Sequence, residues 1–173
     1  MLNELSSLGI KYDFSPATVG GYCFVSMSIS VDDFVVGDMR AVSVLGLMVG
    51  EAEKIVSGLL ALKDDNSIDV GLDCFSGFGD LFDYCFECVL GGVKDPVRHK
   101  IFGWVVDRTI VAFPFANECF DGEIGFFSYL GGNKGFLMWR DFETLQINSR
   151  LISYSSYVDL WQGFLRDASA FVD

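Results

Sequence analysis

Cys85 and Cys88, in Cys85-Phe-Glu-Cys88, have a spacing that can hold zinc or run thiol–disulfide exchange. Zinc needs two further ligands, and His99 and Cys119 follow at spacings that match no finger pattern. Cys85 also falls on an apolar helical stripe, where a thiol packs as a small hydrophobe, so these cysteines read as structural. His99, the only histidine, could act as a general base, but no serine or cysteine sits in an elbow such as GxSxG. A loop histidine is the simpler reading. Asp121 and Glu123 could support acid/base hydrolysis, which needs two carboxyls held across a cleft, and at i and i+2 on a strand they share a face. The run from Asp64 to Gly71 fails as a calcium loop because Ile68 and Asp69 occupy its fifth and sixth positions. The glycines at 71, 77 and 79, and at 131, 132 and 135, match no phosphate-binding motif and read as turn residues. These residues imply no catalytic constellation, no metal and no cofactor, and the expectation is a protein that is not an enzyme. Two enzymatic alternatives stay open: a thiol site using Cys119 or Cys88 with His99, and a carboxylate site using Asp121 and Glu123.

The more informative residues are acidic. Between Asp64 and Val93 lie seven carboxylates (Asp64, Asp65, Asp69, Asp73, Asp80, Asp83, Glu87) and no lysine or arginine, in a chain of net charge -12. Phe75, Phe78, Phe82, Tyr84 and Phe86 share the segment, so it is apolar enough to fold. From about 78 to 90, Phe78, Leu81, Phe82, Cys85, Phe86, Val89 and Leu90 form a helical stripe that Gly91-Gly92 would end. Asp80, Asp83 and Glu87, at i, i+3 and i+7, then line the opposite face. The expected contact surface is Asp69, Asp73, Asp80, Asp83 and Glu87 with Tyr84 as an aromatic anchor, and the expected partner is basic. An acid excess serving solubility alone, on a structural or ligand-binding module, is the plainer alternative.

The elements that must position these residues follow from periodicity. Tyr22 to Val31 alternates as a half-buried strand, Asp32-Asp33 supplies a turn, and Phe34 to Val36 returns as a hairpin. Asp38 stands where it could cap an amphipathic helix over roughly 40 to 62, carried by Leu45, Met48, Ala52, Ile55 and Leu59. Strands are expected at Ile101 to Val106, Thr109 to Phe115, Glu123 to Leu130, Gly135 to Arg140 and Leu145 to Ser153, as an antiparallel meander. Ser156 opens a capping-box pattern before Trp161, Phe164, Leu165 and Ala168, which predicts a closing helix. The fold class is α+β, with an antiparallel sheet meander packed against about three helices in one domain over 1–173.

Composition narrows the classes of function. A chain of 173 residues, 51% of them hydrophobic and only 3 of them proline, is set to fold around a packed core rather than to stay disordered. Its longest apolar stretches fall short of the ~20 residues that span a bilayer. The opening Met1-Leu2-Asn3-Glu4-Leu5 has neither the basic nor the apolar region of a secretion signal, which suggests the cytoplasm. A sequence pI near 4.3 with 12 scattered Lys and Arg argues against nucleic acid and against an anionic membrane surface.

Several of these motifs fall in a familiar order. Gly21-Tyr-Cys-Phe-Val is followed by Phe34-Val-Val-Gly-Asp38, an aromatic strand running into a Gly-Asp; later come Glu123-Ile-Gly-Phe-Phe-Ser-Tyr-Leu130, a Gly-Asn turn, Gly135-Phe-Leu-Met-Trp-Arg140, another strand and a final helix with aromatic spacing. In this order the chain resembles the bacterial immunity proteins of polymorphic toxin systems, specifically immunity protein family 42. The resemblance implies a cytoplasmic protein that binds a cognate secreted toxin and blocks its active site, protecting the producing cell. A toxin that cuts nucleic acid presents a basic cleft, which aligned carboxylates would complement.

Overall fold

In the computed structural model, which describes residues 4–15, 21–62, 77–92, 107–114, 117–141 and 143–171, regular alternation accounts for the first two strands. In β1 (Leu8–Ser15), Ile10, Tyr12 and Phe14 are partly buried while Lys11, Asp13 and Ser15 are exposed. The sequence reading has no strand here: two charges and a glycine lower the apolar content of the window, although its period of two is intact. β1 pairs antiparallel with β2 (Phe24–Val31) along its full length, from Leu8 opposite Val31 to Ser15 opposite Phe24.

On the other edge of β2 lie β3 (Phe34–Val36) and β4 (Ser43–Val44). The β2–β3 hairpin turns at Asp32-Asp33 as expected, with Asp32 in the left-handed region at φ 52°. α1 (Leu45–Leu62) starts later than the expected residue 40, because Ser43 and Val44 are taken up in pairing with β2. Asp38 is therefore not its cap. Its carboxylate accepts from the backbone N–H of Arg40 at 2.8 Å and from the Arg40 guanidinium at 3.0 Å.

Four of the five strands expected of the meander form a second sheet, β5 (Thr109–Val111), β6 (Ile124–Gly131), β7 (Lys134–Arg140) and β8 (Ile147–Ser153), in chain order, and the fifth, Ile101 to Val106, lies outside the described residues. The Gly132-Asn133 turn between β6 and β7 has positive φ at both residues, 55° and 63°, the conformation two-residue hairpins prefer. α2 (Phe78–Cys85) continues into a π-helical turn over Phe86–Leu90, closed by a bond from the Gly91 N–H to the Phe86 carbonyl at 3.0 Å. The closing helix α3 (Tyr154–Ala168) starts immediately after β8. Its cap is Ser153, not Ser156; the Ser153 hydroxyl accepts from the Ser156 N–H at 3.2 Å.

Two cores share the second sheet. Phe127, Leu137, Trp139 and Ile152 face Val25, Met27 and Ile29 of the first sheet together with residues of α1 and α3. Phe126, Phe136, Met138 and Leu151 face Leu81, Phe82 and Cys85 of α2. Burial on both faces explains why β6 and β7 read as near-continuous apolar runs instead of alternating. Within these strands two glycines leave room for rings: a Cβ on Gly135 would lie 2.2 Å from the Phe127 ring, and one on Gly125 would lie 2.3 Å from the Phe113 ring. Phe127 in turn stacks on Tyr157 of α3 at 5.1 Å between centroids.

Candidate functional site: an acidic cleft between the sheets

The loop after β3 and the approach to β6 are tied together by hydrogen bonds. Asn117 caps the short 3-10 turn Glu118–Phe120, its side chain accepting from the Cys119 N–H at 3.1 Å. The Cys119 carbonyl then accepts from the Asp38 N–H at 2.7 Å, and the Phe120 carbonyl accepts from the Glu123 N–H at 3.0 Å. A short hydrogen bond from the Gly37 N–H to Glu123 Oε2 joins the first sheet to the start of β6. Gly37 is required here: its φ is 94°, and a Cβ would meet the Met27 carbonyl oxygen at 2.9 Å.

These ties frame a cleft of about 620 Å³, lined among the described residues by six carboxylates, Asp38, Glu118, Asp121, Glu123, Asp141 and Glu143, and by one basic residue, Arg40. The carboxylates differ in state. The Arg40 guanidinium, followed by the Arg40 N–H, holds Asp38 below the usual carboxylate range. The Thr144 N–H and hydroxyl, both 2.7 Å from Asp141 Oδ1, do the same for Asp141. Burial pushes Glu123 up to about 7, helped by the charges of Asp141 and Asp38 and opposed by the Gly37 N–H. At neutral pH the cleft therefore holds firmly ionised carboxylates beside one that titrates.

Neither Asp121 nor Glu123 lies on a strand, since β6 begins at Ile124. Asp121 sits in the turn before β6, and it is the cleft, not a common strand face, that brings the two together. The other expected groups divide. Asp83 and Glu87 are exposed on α2 and its π-helical extension, and Asp80 is half-buried. Arg140 of β7 approaches Asp83 at 3.1 Å and lies over Phe82 at 4.9 Å, so a segment without basic residues of its own receives one from the sheet. The π-helical turn also departs from the strict α-helical period beyond Cys85 that the i, i+3, i+7 line assumes. Tyr84, expected as an exposed anchor, is 1% exposed and belongs to the interior. Asp69 and Asp73 lie outside the described residues, as do Asp64, Asp65 and His99.

Cys85, Cys88 and Cys119 are buried free thiols, as the apolar stripe led us to expect for the first. Burial pushes the Cys85 thiol up to about 12, away from reactivity, despite a long contact with the Thr109 hydroxyl at 4.0 Å. Among the described residues no group of three or more His, Cys, Asp and Glu could hold a metal ion. No described helix is long and apolar enough to cross a membrane.

The cleft was missed in the sequence because its acids come from separate turns. The signal available is local: Gly37-Asp38, Asp121-Gly-Glu123 and Asp141-x-Glu143 each place carboxylates next to a strand end. No family model, no curated protein and no solved structure matches the chain.

Proposed function

We propose that this chain is a non-enzymatic immunity protein that binds a cognate toxin through a basic surface of that toxin, protecting the cell that makes both. The observation that carries the reading is the cleft, whose lining among the described residues holds six carboxylates and one arginine. Charge of one sign concentrated in a concave site attracts a basic partner at long range and raises its on-rate. Val35, at 65% exposure, lines the same cleft, and Met39 stands between Asp38 and Arg40 at 37%. These apolar groups beside the charges supply the desolvated contacts from which interface affinity is built. Asp83 on α2 and Glu87 on its π-helical extension are further exposed carboxylates, and the cytoplasm is the compartment such an inhibitor would occupy.

The test is titration calorimetry against the purified toxin domain encoded beside this chain, at low and physiological salt. Wild type is expected to bind with strong salt dependence, and the triple variant Glu118→Lys/Asp121→Lys/Glu143→Lys to bind at least ~100-fold more weakly, as loss of several charge-assisted contacts implies. Unchanged affinity in a triple variant whose circular dichroism matches wild type would overturn the reading.

A carboxylate hydrolase is the second reading, favoured by one observation: a partly desolvated Glu123 with its pKa near 7 faces a cleft that also holds Asp121. Against it stands the bond from Gly37, which already occupies Glu123 Oε2. Full protection against the toxin by Glu123→Gln would rule the hydrolase out.

A further inference from the structure

We propose that β1 is a self-association edge, through which a second copy of this chain adds an antiparallel strand across a two-fold axis at Tyr12. β1 is eight residues long, and its register with β2 runs without a bulge. Just before β1 the outward Ser6 N–H bonds to the Leu151 carbonyl of β8 at 2.8 Å, and along Leu8–Ser15 itself no strand among the described residues pairs with the outer side. A long, regular, unpaired edge is a template for another strand unless something blunts it.

The hydrogen-bonding parity of that edge is fixed by the inner one. The Asp32 N–H bonds to the Ser7 carbonyl at 3.0 Å. The odd-numbered residues of β1 thus point their backbone groups at β2, and Ile10, Tyr12 and Phe14 point theirs outward. A two-fold partner must then pair even residues with even residues. Four centres satisfy this with most of the strand overlapped, and of these Ile10 on the axis sets Lys11 against Gly9 of the partner subunit, with no charge to meet it. Lys11 on the axis sets Lys11 against Lys11 of the partner subunit, and Asp13 on the axis sets Asp13 against Asp13 of the partner subunit. Tyr12 on the axis sets Lys11 against Asp13 of the partner subunit, twice, in the non-hydrogen-bonded pairs where side chains approach most closely.

Lys11 and Asp13 are both exposed on the outward face, so a lysine that would by itself protect the edge becomes half of a self-complementary pair. On the opposite face the same register brings Ile10 against Phe14 of the partner subunit. Both are only partly buried in the single chain and would gain burial from the pairing. The symmetric arrangement closes at two copies, because the two-fold pairing uses the β1 edge of both chains.

The experiment is sedimentation equilibrium of the full chain from about 1 µM to about 1 mM, read with residue-resolved amide hydrogen exchange across the same range. A monomer–dimer equilibrium is expected, with protection of the Ile10, Tyr12 and Phe14 amides rising with concentration. Lys11→Asp and Asp13→Lys should each weaken the dimer about tenfold, and the double exchange Lys11→Asp/Asp13→Lys should restore it. A monomer over the whole range overturns the proposal and leaves the edge for another chain. So does a dimer in which those three amides exchange as fast as in dilute solution, a result that needs no variant to fold. A double exchange that folds but fails to restore the dimer overturns the register.

Discussion

Glu123 is the residue on which the cleft turns, because one carboxylate both links the two sheets and titrates near neutral pH. Its folded pKa of about 7 stands above the ordinary 4.5, with burial the main cause. The native state therefore holds this proton more tightly than the unfolded chain does. Stability from this group is greatest below pH 4.5 and falls as pH rises through 7, where the desolvated charge must form. Glu123→Gln keeps an oxygen to accept from Gly37 and removes the charge. Thermal melts should show the variant close to wild type at pH 5 and more stable than wild type at pH 8. Equal melting temperatures at pH 8 would mean that the carboxylate is better solvated than its place in the cleft implies. Asp32 is the opposite case: hydrogen bonds from Ser6 and Ser7 and the nearby Arg150 hold it below its usual range, so its contribution is present above the unfolded pKa of 3.8 and lost as pH falls through the folded value.

At the scale of elements, the second sheet owes its shape to being covered twice. Gly135 lets the Phe127 ring occupy the space where its own side chain would stand, and that ring then reaches Tyr157 of α3. Gly135→Ala is expected to destabilise the chain by about 1–3 kcal/mol through overpacking, measured by urea denaturation. An unchanged midpoint would show that Phe127 has another rotamer to take. Most elements were legible in the sequence wherever one periodicity ran uninterrupted: Met48, Ala52, Ile55 and Leu59 marked α1, and Tyr157, Trp161, Phe164 and Ala168 marked α3. Their starts were not. Ser43 and Val44 look helical beside Leu45 but are captured by β2, and Ser153 takes the capping role that Ser156 also fits. β1 went unread for a different reason, since Gly9, Lys11 and Asp13 mask an alternation that pairing with β2 makes decisive. The cleft was the least legible of all. Asp38, Glu118 and Asp141 come from three turns, and only the docking of one sheet on the other brings them together.

At the scale of the molecule, charge and packing work against each other. A net charge of -12 is spread over a chain whose described ion pairs are few and mostly exposed, so self-repulsion opposes the compact state. Added salt should stabilise the fold. Between about 0.01 M and 0.15 M the screening length falls from about 30 Å to about 8 Å, and each kcal/mol of repulsion relieved should raise the melting temperature by about 2–4 °C. A melting temperature that falls with salt would mean that the attractive pairs, such as Arg140 with Asp83, outweigh the repulsion.

The order of the two sheets along the chain has a consequence for synthesis. β1 to β4 and α1 are complete once Leu62 has emerged from the ribosome. α1 supplies part of the surface that covers Val25, Met27 and Ile29, but the rest comes from β6, β7, β8 and α3, the last of which ends at Ala168. A nascent chain folds from its N-terminus as it is made, so the first sheet waits with its apolar face only partly covered, by α1, while the second is translated. Apolar surface exposed through that interval is open to aggregation and to holdase chaperones before the finished fold can protect it.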